Sequence, residues 1–323
     1  MIKKFRWFDY VRGLSLLIAL ALLFIGLLLG EGHHLLYGPA LQKRGSETPS
    51  DSFRFAVLSD LHKGWGVFKP IMKEIAKDGY SFAIIEGDIV PQDREDRYRF
   101  FFRQLATVRG NLPLYFAPGN HDIYDKSNNY SLRNFHTYCG PDYYWFSWGN
   151  AAFVVLNDAQ LTIGEDQFRW LEGTLLKLKG RFPHIFVFMH VPPFDPREGQ
   201  NYSLPAPIAK RFMQLMERFK VDYVFSGHIH CYSREVINGV TYIGSPSAGG
   251  TPRCTNSLYY GYMQVVVRGQ GLKDSVIKVE DDWWLQLKGN IQYELRVRVP
   301  FFLPLTVVMG QPFFYFFPSD RFF

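Results

Sequence analysis

Ser59-Asp60-Leu61-His62 closes the apolar run Phe55-Ala56-Val57-Leu58, and the reading of that junction decides the fold. A short apolar run stopped by a residue able to bind metal reads as a buried strand whose end faces a site. The pattern recurs along the chain. Phe82-Ala83-Ile84-Ile85 leads into Gly87-Asp88, and Leu114-Tyr115-Phe116-Ala117 into Gly119-Asn120-His121-Asp122. Ile185-Phe186-Val187-Phe188 leads into His190, and Tyr223-Val224-Phe225 into Gly227-His228-Ile229-His230. Strands that end in His, Asp or Asn predict one sheet edge on which metal-binding side chains gather.

Helical patterns lie between these runs. Residues 70–77 form a first candidate with proline early in it. Residues 93–108 form a second, with Tyr98, Phe101, Phe102 and Leu105 set against Arg94, Arg97 and Arg103. Residues 164–179 and 206–219 supply two more. Residues 143–148 and 151–156 predict a hairpin about Gly149-Asn150, and residues 233–242 another about Asn238-Gly239. The alternation of strand and helix argues for an α/β domain. The hairpins and the strands within 262–279 add antiparallel pieces, so a mixed sheet or two sheets is expected rather than a purely doubly wound fold.

The flanks differ in texture. Residues 1–12 carry Lys3, Lys4, Arg6 and Arg12 against a single Asp9, and residues 13–30 carry no charge. That run is long enough to cross a hydrocarbon core of roughly 30 Å as a helix. The alternative is a cleaved signal peptide, for which Gly38-Pro39-Ala40 is a poor cleavage site. The basic flank predicts a single-pass anchor with a cytoplasmic N-terminus and an extracytoplasmic domain. The predicted organisation is flank and anchor over 1–30, a polar linker over 31–52, a catalytic domain over 53–282, and a C-terminal extension over 283–323. In the extension Leu285, Leu287, Ile291, Tyr293, Leu295, Val297 and Val299 alternate around Gly289-Asn290, which predicts a hairpin. Residues 300–317 are uncharged and rich in phenylalanine; Pro304 and Pro312 argue against a straight spanning helix. This tail is suited to a membrane interface, or to packing on the domain or on another subunit.

Of 323 residues, 20% are charged and 47% hydrophobic, a composition that folds. A net charge of +6 and a pI near 9.0 suit a membrane surface or a phosphate-bearing substrate. No basic run is interleaved with aromatics, which argues against a nucleic-acid partner. Cys139, Cys231 and Cys254 show no CxxC spacing, and one disulfide with one free thiol fits a compartment outside the cytosol. The spacing does not choose the pair.

Taken in order, Asp60-Leu61-His62, Gly87-Asp88, Gly119-Asn120-His121-Asp122, His190 and Gly227-His228-Ile229-His230 resemble the calcineurin-like metallophosphoesterase superfamily, over about residues 53–279. The resemblance implies a four-layer αββα sandwich, two mixed β-sheets flanked by helices, with two metal ions at the carboxyl ends of the strands. It implies that Asp60, His62, Asp88 and His230 hold one ion, and that Asp88 bridges to a second held by Asn120, His190 and His228. The donor chemistry agrees: imidazoles mixed with carboxylates suit Mn, Fe or Zn, divalent or mixed-valence, where an all-oxygen set would suit Mg or Ca. Two ions sharing a carboxylate clamp a hydroxide and a phosphoryl oxygen in line, so no serine or cysteine nucleophile is needed. The resemblance also implies that His121 is the general acid and that Asp122 orients its ring. A further metal contact is the alternative for His121, and a helix cap for Asp122. Lys63, Arg197 and Tyr232 are weaker candidates for phosphate contact. Residues 244–250 lack the Gly-Lys-Ser/Thr ending of a phosphate loop and read as structural.

The function expected is a membrane-anchored phosphohydrolase acting on a monoester, diester or pyrophosphate, and a lipid-linked phosphate suits the anchor. Within the superfamily, the Asp-x-His start and the Gly-Asn-His-Asp block look like the branch holding cyclic-nucleotide phosphodiesterases and lipid-sugar pyrophosphate hydrolases. Two other classes compete. A non-catalytic binding module on the same fold would show broken ligand motifs, and a metal-dependent nuclease would carry a nucleic-acid-binding surface.

Overall fold

The computed structural model describes residues 51–255 and 257–279, and beyond them 284, 286–287, 289–291 and 293–294. The predicted anchor, nearly all of the linker and the aromatic tail lie outside the described residues. The chain divides into two compact units, Leu35–Tyr293 and the pair Met1–His34 with Glu294–Phe323. Every strand among the described residues falls in the first unit. Among the described residues no helix is long and apolar enough to cross a membrane.

In chain order the elements are β1 (Ser52–Leu58), α1 (Trp65–Lys77), β2 (Phe82–Glu86), α2 (Glu95–Ala106), β3 (Leu114–Ala117), α3 (Asn120–Ile123) and α4 (Arg133–Tyr138). The hairpin β4 (Tyr144–Trp148) and β5 (Ala151–Val155) follows, then α5 (Glu165–Leu178), β6 (His184–Phe188), α6 (Ala206–Phe219) and β7 (Tyr223–Ser226). A second hairpin, β8 (Ser233–Ile237) with β9 (Val240–Gly244), precedes the long pair β10 (Tyr260–Arg268) and β11 (Gly271–Val279). They form two mixed sheets, β11-β10-β1-β2-β3 and β4-β5-β6-β7-β9-β8. Within them β1, β2 and β3 run parallel, as do β5, β6, β7 and β9.

Strand periodicity explains the layering. Side chains two apart share a face, and a strand buried on both faces reads as an unbroken apolar run. In β6, Phe186 and Phe188 join Phe55, Phe82, Phe153 and Phe225 in the core between the sheets, while Ile185 and Val187 face the helices. There they meet Phe168, Leu171 and Leu175 of α5 and Phe212 and Met216 of α6. The inter-sheet core is largely aromatic: Phe55 stacks on Phe82 at 5.1 Å and meets Phe153 edge-on at 5.2 Å. On the opposite side Phe68 of α1 packs on Phe101 of α2, and Phe102 on Phe116 of β3. Two mixed sheets flanked by helices are therefore present, as expected.

Two local readings change. The first helix begins at Trp65 rather than at residue 70 and carries Pro70 inside it. Its inward stripe of Val67, Phe68, Ile71, Met72 and Ile75 is buried and outweighs one missing backbone donor. The hairpin predicted about Gly289-Asn290 is not formed, because residues 284, 286–287, 289–291 and 293–294 are helical. Gly289 marks a close approach instead of a turn, since a Cβ there would run into the backbone of Gly66. Four residues on, Tyr293 is buried with its ring 5.1 Å from Phe100.

Candidate metal centre

The parallel strands deliver the motif residues to one edge, and the backbone there is unusual. Asp60, His62, Asp88, His228 and His230 all have left-handed φ angles, of 54°, 47°, 52°, 69° and 51°. A side chain in that conformation costs about 1–2 kcal/mol relative to the right-handed one. Hydrogen bonds between neighbouring turns hold it in place. Asp60 N donates to Gly87 O at 3.2 Å and His62 N to Asp88 O at 2.9 Å, while His228 N donates to both carboxylate oxygens of Asp60 at 3.1 Å. Two glycines make the approach possible. A Cβ at Gly227 would run into Ser59 Oγ, and one at Gly250 would lie 2.6 Å from the rings of both His62 and His230.

Asp60, His62, Asp88 and His230 each turn one donor atom into a group no more than 4.8 Å across. His62 Nε2 lies 3.1 Å from His230 Nε2 and 3.4 Å from Asp88 Oδ2, and His230 Nε2 lies 3.4 Å from Asp60 Oδ1. Beside them, His190 Nε2 lies 3.4 Å from Asp88 Oδ1 and 3.1 Å from Asn120 Oδ1. The His228 ring packs 5.1 Å from that of His190. The ring tautomers follow from the other nitrogens. His230 Nδ1 faces Thr251 O and His190 Nδ1 faces Glu86 O, each at 2.8 Å, so Nδ1 carries the hydrogen in both. In the neutral rings Nε2 is left bare and points at other lone pairs. Once the protons on these rings are displaced, a divalent cation fits among Asp60, His62, Asp88 and His230, with His190 and Asn120 beside them.

Electrostatics agrees. Burial works against charge on His190, yet Asp88, Asp60 and Asp158 outweigh it and push its pKa up to about 10. Burial pushes His62 down to about 3 and His228 down to about 4. At neutral pH these two rings are ready to donate lone pairs.

His121 stands at the rim, its side chain 42% exposed and its Nε2 4.0 Å from Asp88 Oδ2. Its backbone N donates to Asp88 Oδ1 at 2.9 Å, and its Nδ1 faces Pro91 O at 2.8 Å. Asp122 does a different job from orienting that ring. Its buried carboxylate accepts from Gly119 N at 2.9 Å and Val90 N at 3.1 Å, closing the first turn of α3 from within the helix. It reaches His121 only through the chain, by holding the segment whose next residue offers the Pro91 carbonyl.

A model of the calcineurin-like phosphoesterase family matches residues 53–232, more than half of the chain. The chain belongs to the calcineurin-like phosphoesterase family. It is 27% identical over 165 residues to the serine/threonine-protein phosphatase CPPED1 of Mus musculus, covering 46% of this chain and 53% of that protein. It is 26% identical over 236 residues to purple acid phosphatase 21 of Arabidopsis thaliana, covering 64% and 53%. The chain thus spans about half the length of the curated relatives it matches. The purple acid phosphatase PPD1 of Lupinus luteus shares its fold, with a TM-score of 0.57 at 15% identity over 75% of this chain and 56% of that one.

Several residues of the chain support the cluster without any motif to mark them. The buried Asp158 accepts from the backbone N of His190 and of Val191 at 2.8 Å and fixes the strand end that presents His190. It closes Leu156-Asn157-Asp158 after β5, so the rule that found the other junctions would have found it. Glu86 lies behind the site, bonded to Ser245 Oγ at 2.7 Å, and burial raises its pKa well above the usual range. Cys231 and Cys254 form a disulfide, and Cys139 is a buried thiol outside it. The bridge ties the residue after His230 to the loop whose Thr251 carbonyl orients that ring. Of the weaker candidates, Arg197 is committed to Asp195 at 2.6 Å and Lys63 is exposed.

Metal binding should displace the proton on His190. Between pH 6 and 8 that ring is protonated in metal-free protein, because its pKa is raised to about 10, whereas His62 and His228 are already neutral. Burial opposes charge on His230, but Asp60 holds it above the ordinary imidazole value as well, so affinity for Mn or Zn should rise at least about tenfold per pH unit across this range. A competition titration against a chromogenic chelator at pH 6, 7 and 8 measures the slope, and a flat profile would contradict the assignment.

Proposed function

We propose that the chain is a two-metal phosphoesterase, anchored in a membrane and facing away from the cytosol. The observation that carries the reading is the meeting of imidazole nitrogens and carboxylate oxygens at the ends of parallel strands from two sheets. In this reading Asp60, His62, Asp88 and His230 hold one ion, and Asp88, Asn120, His190 and His228 hold the other. Mn, Fe and Zn are the ions that suit such donors. When bound, the pair supplies Lewis acidity and a nucleophile at neutral pH.

The chain's own residues supply the rest. The Pro91 carbonyl fixes the hydrogen on His121 Nδ1, so Nε2 faces the cluster and can carry the proton that the leaving oxygen takes. Asp122 keeps that carbonyl in place by holding Val90 N. Asp158 and Glu86 O hold His190 from its backbone and from its far nitrogen, so little motion is needed when substrate arrives. The substrate is a phosphate ester, and the uncharged run over residues 13–30 favours one linked to a lipid. The curated relatives carry phosphatase names, which supports ester hydrolysis. The Cys231–Cys254 bridge supports an oxidising compartment. Intact donor residues at all five motif junctions count against a binding module that has lost its metals.

The test uses the full chain purified in detergent, stripped of metal and reloaded in parallel with Mn, Fe or Zn. Hydrolysis of aryl phosphate mono- and diesters should return with metal and vanish with chelator. Full activity in the stripped protein would sink the reading. Protease added to cells with a permeabilised outer layer should digest the domain, and protection would reverse the proposed topology.

A further inference from the structure

We propose that Tyr202 is a specificity residue that stacks on the substituent a substrate retains on phosphorus, so that phosphodiesters with a planar retained group are preferred. The proposal rests on the phosphoesterase reading and names the substrate class within it. Tyr202 lies in the segment between β6 and α6 and is 49% exposed. Its ring centroid lies 6.4 Å from that of His228, which places it at the edge of the candidate site.

The segment is built to hold that ring. The Asp195 side chain is only 2% exposed, and its carboxylate accepts from Arg197 N at 3.0 Å, Arg197 Nε at 2.8 Å, Arg197 Nη2 at 2.6 Å and Tyr202 N at 3.0 Å. The Arg197 guanidinium, fixed by that pair, lies over the Tyr202 ring at 5.2 Å. A half-exposed aromatic fixed through its own backbone and backed by an arginine has given up much of its freedom before a ligand arrives, which favours binding.

Position decides what it binds. His121 lies against the other part of the cluster, its ring edge-on to His62 at 4.6 Å, and His62 in turn meets His230. Tyr202 contacts His228, which packs on His190. In-line displacement would send the leaving oxygen toward His121, whether or not that oxygen needs the proton. A group touching Tyr202 is then one that stays on phosphorus. A monoester has only oxygens to offer there, and an aromatic face gains little from them.

Three substrates with the same p-nitrophenolate leaving group separate the possibilities: bis(p-nitrophenyl) phosphate, methyl p-nitrophenyl phosphate and p-nitrophenyl phosphate. In Tyr202→Ala, kcat/KM for the first should fall about tenfold, with the other two within about twofold of the unaltered protein. Tyr202→Phe should restore the first. Calorimetry with diphenylphosphinate and dimethylphosphinate, which have no ester bond to break, should show the same preference lost in Tyr202→Ala. Equal losses on all three esters, no loss on any, or loss of bound metal in Tyr202→Ala would each overturn the proposal. Failure of the unaltered protein to bind or turn over any of these compounds would overturn the phosphoesterase reading itself, and the proposal with it.

Discussion

Asp88→Asn is expected to leave a folded protein that retains neither ion at full stoichiometry and hydrolyses phosphate esters on the order of a thousandfold more slowly. Asp88 faces both parts of the cluster, with Oδ2 3.4 Å from His62 and Oδ1 3.4 Å from His190. The change removes a charge and replaces one acceptor with an N–H donor aimed at a bare imidazole nitrogen or at the ion. Burial opposes the charge on Asp88, but His190, His121 and His62 outweigh it and hold its pKa well below the usual carboxylate range. The fold should survive, because asparagine has the same shape and tolerates the left-handed φ of 52°. Metal content by mass spectrometry and far-ultraviolet circular dichroism give the two readings. Two bound ions with unaltered turnover would remove Asp88 from the bridging position.

His121→Ala should leave metal content near that of the unaltered protein and cut turnover by about a hundredfold to a thousandfold on esters with alkoxide leaving groups. The loss should be much smaller with p-nitrophenolate, which departs without a proton. That dependence separates proton donation from a structural role, since a distorted site would slow every ester alike. The geometry supports the distinction: the ring stands at the rim, with Nε2 4.0 Å from Asp88 Oδ2, and its backbone rather than its ring is bonded to the cluster. Loss of both ions in His121→Ala would make it a ligand.

Most of the fold was legible because its central strands are buried on both faces. A run such as Ile185-Phe186-Val187-Phe188 has no alternation to misread, and its end is marked by the first polar residue after it. The helix predicted over residues 206–219 is Ala206–Phe219, with Phe212 and Met216 on its inward face. Gly149-Asn150 and Asn238-Gly239 stood out as turns because each joins two strands of matching length. Pro70 misled by drawing the helix start toward itself, although the apolar stripe begins at Val67. Gly289 misled because a glycine needed for close approach looks the same in sequence as one needed for a turn.

At the site, the side chains that converge were legible and the groups that aim them were not. Pro91 and Thr251 act through carbonyl oxygens, which every residue has, so no residue type announces them. The pairing of Cys231 with Cys254 depends on how the segment after β9 folds back toward His230, and spacing alone does not encode it. Asp122 sits one place from a candidate acid yet turns its carboxylate to backbone donors. Sequence adjacency therefore overstated its contact with His121.

The left-handed residues also place a stability cost at the site itself. Glycine would occupy the positions of Asp60, His62, Asp88, His228 and His230 more cheaply, by about 1 kcal/mol at each. Leu161 and Lys220, at φ of 60° and 53°, bear the same cost singly, whereas here five such residues crowd one sheet edge. Glycine at all five would relieve that strain and remove the donors a cation needs, so stability and metal binding are set against each other at the same positions.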